Sequence, residues 1–250
     1  SSTIWKQALK SIFSPGNKVR IPHTKIDINS SANSEMRCLC VLLVDVSGSM
    51  KLCEDTINTS IKNFMSDLLH GRNGFKEYSK EQIELAIIQF DSDVKVLRLP
   101  SLVKRGDRLP VLQVRGLNTN TVGAVRKAMS IIENRKIEHK MKGLSYYRPW
   151  IILLTDGNPN PCSQSELQSL LYDVSHSISE NKFMLTAIGI GNSVDKEFLS
   201  AISNNNYHRI GQANISTFFQ ALSASMTMKY GNDPQNNLSI ELDNELQDDI

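Results

Sequence analysis

The chain has little cysteine, little tryptophan, no long apolar run and no strong excess of either charge. Its four cysteines, Cys38, Cys40, Cys53 and Cys162, form no Cys-x-x-Cys pair and share no zinc-type spacing with histidine. That argues against a disulfide framework and a structural zinc site, and a reducing compartment, the cytoplasm, is the expected location. No stretch approaches the roughly 20 apolar residues that a membrane-spanning helix needs, and no signal peptide is visible. The net charge is +2, which provides no bulk electrostatic basis for binding nucleic acid. Several catalytic signatures are also missing. There is no Gly-x-Gly-x-x-Gly after the first strand, no P-loop and no Gly-x-Ser-x-Gly turn. His23, His70, His139, His176 and His208 are scattered, with no pairing of base and nucleophile.

What the chain does have is an ordinary share of hydrophobic residues, 40%, and of charged ones, 22%, as a soluble globular domain requires. At 250 residues it has room for one large α/β domain with extensions. Charge is placed unevenly. Residues 1–35 are basic (Lys6, Lys10, Lys18, Arg20 and Lys25 against Asp27 and Glu35), and Ile4, Trp5, Ala8, Leu9, Ile12 and Phe13 give residues 3–13 one apolar helical stripe. A polar Ser/Asn linker covers 29–35. Residues 231–250 carry six acidic side chains and no Lys or Arg, and are expected to be a disordered tail. The expected division is therefore a basic helix and linker over 1–35, one domain over 36–230, and an acidic tail over 231–250.

Within the domain, apolar runs alternate with helical patterns. Residues 37–46, 84–90, 150–155 and 183–191 read as buried strands, with 94–99 an exposed antiparallel strand after the Asp91-Ser92-Asp93 turn. Helices are expected over 50–69, 122–135, 163–179, 194–203 and 215–228, with a short edge strand over 208–210. Residues 100–118 read as irregular. This alternation predicts an α/β fold, a mostly parallel central sheet with one antiparallel edge strand and helices on both faces. In such sheets, sites form beyond the carboxyl ends of the strands.

Two of the buried strands end abruptly in an aspartate, Asp45 and Asp156. Burying a carboxylate without a partner is costly. Three segments meet at that end under this topology: Asp45-Val-Ser47-Gly-Ser49, Leu117-Asn-Thr119-Asn-Thr121 and Thr155-Asp156-Gly157. Carboxylates and hydroxyls are hard oxygen donors that suit Mg²⁺, Mn²⁺ or Ca²⁺. Two facing carboxylates repel unless a cation lies between them. Ser47 stands where an aspartate-nucleophile phosphotransferase would need a second carboxylate, which leaves that enzyme class the weakest reading.

These three segments, in this order and spacing, resemble the von Willebrand factor A domain and its metal-ion-dependent adhesion site over residues 36–228. The resemblance implies a Rossmann-like fold and no catalysis. Ser47, Ser49 and Thr119 would ligate the metal directly, with Asp45 and Asp156 acting through water and Thr121 a hydrogen-bonding neighbour. It further implies recognition of a protein partner that offers a carboxylate to the metal. Phe218-Phe219-Gln-Ala-Leu-Ser-Ala-Ser225 is most similar to the bacterial TerY-like branch, associated with tellurite resistance, stress and defence and with kinase and PP2C-type phosphatase partners. An adaptor role in an AAA+ ATPase or chelatase complex is the alternative the family allows.

Overall fold

The sheet is built around Met36–Asp45, called β2, whose side chains from Cys38 to Asp45 are all buried. The period-2 geometry of a strand sends alternate residues to opposite faces. Cys38, Cys40, Leu42 and Val44 enter one apolar core, and Leu39, Val41 and Leu43 enter the other. The continuous apolar run is thus the signature of a strand covered on both sides. The structure is a computed structural model that describes residues 18–19, 36–157, 159–160 and 162–228. The basic helix over 3–13, the linker over 29–35 and the acidic tail over 231–250 lie outside the described residues.

On one side β2 pairs in parallel with β3 (Ile83–Phe90), and on the other with β6 (Trp150–Thr155). Beyond β6 lie β7 (Met184–Ile190) and β8 (Tyr207–Ile210), both parallel. Beyond β3 lies β4 (Val94–Leu102), antiparallel, as the short Asp91–Asp93 turn demands. Helices α1 (Glu54–His70) and α5 (Ile215–Met228) supply residues to the core on the Cys40 face. Helices α2 (Thr121–Met141), α3 (Gln164–Ser179) and α4 (Lys196–Ile202) do so on the Val41 face.

Four details differ from the sequence reading. The first helix is preceded by a 3₁₀ turn over Gly48–Cys53. α2 runs on to Met141 rather than ending near Arg135. β4 continues through Pro100 to Leu102, where an edge strand tolerates the missing N–H. Two short strands also join the sheet. β5 (Ser145–Tyr147) pairs with the start of β2, and β1 (Lys18–Val19) pairs antiparallel with β5.

Register decides what meets at the sheet's far end. Asp45 stands opposite Phe90, and Val44 opposite Leu154, so β2 and β6 finish at nearly the same level. The loops that follow them open onto one surface.

Candidate metal site

At the end of β2 the Asp45 side chain is 1% exposed. Its Oδ1 accepts the Ser47 backbone N–H at 2.8 Å, and its Oδ2 accepts the Thr155 hydroxyl at 2.7 Å. The first bond curls the chain sharply after the strand, and the second ties β2 to β6 across 110 residues of sequence. Burial pushes the Asp45 carboxyl above its ordinary range, opposed by the bonds from Ser47 and Thr155. In the loop that follows, the Ser47 and Ser49 hydroxyls lie 3.5 Å apart, and Ser49 Oγ donates to Asp156 Oδ1 at 2.9 Å. Four of the five candidate residues are therefore linked by short polar contacts or share the loop that carries them.

Thr119 reaches the same surface by backbone pairing. Ser47 and Gly116 form an isolated parallel bridge in which the Gly48 N–H donates to the Gly116 carbonyl at 2.9 Å. The glycine that this junction requires is Gly116, because a Cβ there would lie 2.1 Å from the Cβ of Asp91. Gly48 has no left-handed φ, and a Cβ on it would make only a 3.4 Å contact with the Gly116 oxygen. Asn120 begins α2, accepting the Gly123 N–H at 2.9 Å, while its own N–H donates to Asp91 O at 2.7 Å. Thr119 is 7% exposed, and among the described residues its hydroxyl has no hydrogen-bond partner. Thr121 is also buried, inside the first turn of α2.

The two carboxylates face an electrostatic problem. Asp156 is pushed above its ordinary range by burial and, more weakly, by the charge of Asp45. Neither aspartate takes part in an ion pair among the described residues. No group of three His, Cys, Asp or Glu able to hold a metal occurs there either. A site of this composition contains only two carboxylates, and its other donors are hydroxyls. Desolvated carboxylates that repel each other, two serine hydroxyls and the Thr119 hydroxyl, which has no hydrogen-bond partner among the described residues, make a donor set that fits a hard divalent cation. Cys53 adjoins the site, its thiol held up by burial and then by the Asp156 charge. It remains a buried thiol outside the oxygen donor set.

The profile of the von Willebrand factor type A domain matches residues 40–224, which takes in every segment just described. The chain belongs to that family. Solved structures share the fold of the vWA domain at low identity. A von Willebrand factor type A protein from Catenulispora acidiphila is 16% identical with a TM-score of 0.55, covering 77% of this chain and 43% of its own. Proximal thread matrix protein 1 from the mussel byssus is 17% identical with a TM-score of 0.52, covering 77% and 48%. The vWF domain of the type V pili tip protein Mfa5 from Porphyromonas gingivalis is 10% identical with a TM-score of 0.56, covering 79% and 97%. This chain thus spans less than half the length of the first two. No curated protein matches it.

Two residues support the candidate site in roles that the sequence does not display: Thr155, named above only as part of the Thr155-Asp156-Gly157 segment, and Asn160. Asn160 brackets Thr119, its Oδ1 accepting the Thr119 N–H at 2.5 Å and its N–H donating to Thr119 O at 2.8 Å. Thr155 holds Asp45. The visible sign of Thr155 was its place beside Asp156 at the end of an apolar strand. Asn160 gave no sign, because its partner lies 41 residues away.

Proposed function

We propose that this vWA domain is a divalent-metal-dependent protein-interaction module that recognises an acidic side chain of a partner. The observation that carries the reading is the convergence of Ser47, Ser49 and Asp156 with the desolvated Asp45 at the carboxyl end of the sheet. Ser47, Ser49 and Thr119 would hold the ion, and Asp45 and Asp156 would act through water. The ion, Mg²⁺ or else Mn²⁺ or Ca²⁺, supplies an electrophilic centre for a partner's carboxylate. The protein's own part is positioning. Thr155 and the Ser47 N–H fix Asp45, Asn160 fixes the Thr119 backbone, and the Gly48–Gly116 pairing holds the two loops together.

An enzymatic role is not part of this proposal. Among the described residues neither Ser47 nor Ser49 is hydrogen-bonded to a histidine, so the activated nucleophile of hydrolytic catalysis has no support. Within the family we place the chain in the TerY-like branch on the similarity of residues 218–225. That puts it in the cytoplasm of a bacterial stress or tellurite-resistance system, with a kinase or PP2C-type phosphatase as partner. No helix among the described residues is long and apolar enough to cross a membrane. Residues 36–230 form the proposed domain, flanked by the basic head and the acidic tail.

Thermal melts of the 250-residue chain test the metal reading. Mg²⁺ or Mn²⁺ is expected to raise the melting temperature relative to EDTA, and Asp45→Ala to abolish the rise. A wild-type curve that is the same in metal and in EDTA overturns it.

A further inference from the structure

Leu52 is 81% exposed and Leu117 is 94% exposed. Single exposed leucines are ordinary on protein surfaces. These two come from separate segments that meet beside one site. Leu52 follows Ser49 by three residues in the 3₁₀ turn, whose Met50 and Cys53 point into the core. Leu117 lies between Gly116, bonded to the Gly48 N–H, and the candidate ligand loop at Thr119. The backbone pairing of Gly48 with Gly116 therefore joins two segments that each carry hydroxyl donors and one exposed leucine. Neither leucine is needed to fill the core on either face of the sheet.

We infer that Leu52 and Leu117 are specificity residues of the interaction surface, selecting partner segments in which the recognised Asp or Glu has apolar side chains within two positions of it. This rests on the carboxylate reading above and adds to it the chemistry of the partner's neighbouring residues. A carboxylate docking on a metal gains from losing its surrounding water, because electrostatic attraction strengthens as the local dielectric falls. Apolar contacts around a central polar anchor exclude that water. A partner bearing only charged residues around its acid would leave two leucines in contact with solvated groups, and would gain nothing from them.

The test uses the 250-residue chain with Mg²⁺ and a displayed library of random dodecapeptides. Enriched peptides are expected to share an acidic residue flanked by Leu, Ile, Met or Phe. A synthetic copy of one such peptide should bind Leu52→Ala/Leu117→Ala roughly tenfold more weakly, the scale expected when about 1.4 kcal/mol of contact is lost. The metal-induced rise in melting temperature should be unchanged in that variant, which shows that it folds and that its metal site is intact. Enriched acids with no apolar neighbours, or equal binding by the double variant, overturn the inference while leaving the carboxylate reading standing. Enrichment that persists in EDTA, or that lacks an acid, overturns the carboxylate reading and this inference with it. A dimer seen by sedimentation and lost in the double variant also overturns it, since the leucines then serve a second copy of the chain.

Discussion

Asp156 bears an electrostatic cost that the proposed metal would relieve. Its carboxyl is raised by burial and by the charge of Asp45, so the folded state holds that proton more tightly than the unfolded chain does. The stabilising effect of the proton is complete below the ordinary carboxyl value and is lost as pH rises through the raised one. In EDTA, Asp156→Asn should therefore melt above the wild type at pH 7, with the difference closing toward about pH 4. The same variant should show no metal-induced rise. A metal-free Asp156→Asn that melts below the wild type at pH 7 would mean that the bond from Ser49 outweighs the repulsion from Asp45. Asp45, Ser47, Ser49 and Asp156 were legible in the sequence because apolar strands ending abruptly in polar residues are conspicuous. Thr155 and Asn160 were not legible as a support for the site. Each acts through a hydrogen bond to a residue far away in the chain, and neither has a composition signal of its own. Asn160→Ala should accordingly weaken metal affinity while leaving the donor atoms unchanged, as isothermal titration would show.

The helix over Thr121–Met141 packs an apolar face onto the sheet as far as Ile132, and beyond it makes polar inward contacts that periodicity alone does not reveal. Glu84, 1% exposed on β3, accepts from Arg135 and lies 2.6 Å from His139 Nε2. Burial alone would raise the Glu84 carboxyl, but the bonds from His139 and Arg135 hold it below its ordinary range. This clamp explains why α2 continues past Arg135, where the sequence reading stopped for lack of apolar spacing: its last buried residue is the imidazole of His139. Arg135→Met leaves that buried carboxylate without its permanently charged partner, and should cost about 3 kcal/mol in chemical denaturation. β5 was missed for another reason, since three residues separated from β6 by Arg148 and Pro149 are too few to show a period. On β8, burial lowers His208 from 6.5 to about 4. The unfolded chain then binds the extra proton first, so stability is lost as pH falls from about 6.5 toward 4 and levels off below that. If His208 governs this window, His208→Gln should flatten the fall in denaturant midpoint between those pH values.

At the scale of the whole molecule, two cores sandwich one sheet, and its two ends do different work. The fold class was readable because β2, β3, β6 and β7 are covered on both faces and so leave continuous apolar runs, whereas the loops that dress the sheet's carboxyl end follow no period. At that end, the proposed metal would link three segments that the fold brings together, 45–49, 119 and 156. A ligand at one hundred times its dissociation constant stabilises by about 2.7 kcal/mol, which for a domain of this size corresponds to a rise of about 5–10 °C. The Glu84–Arg135–His139 clamp lies six residues back along β3 from Phe90, the partner of Asp45. At ~3.3 Å per residue that separation is about 20 Å. Sites this far apart, with no shared partner, contribute additively. Arg135→Met should therefore lower the melting temperature in EDTA and in saturating Mg²⁺ alike, with the same metal-derived free energy in variant and wild type, within about 0.5 kcal/mol. A metal increment that shrinks when the clamp is cut would show that α2, which starts just after Thr119 and has His139 as its last buried residue, couples the two ends of the sheet.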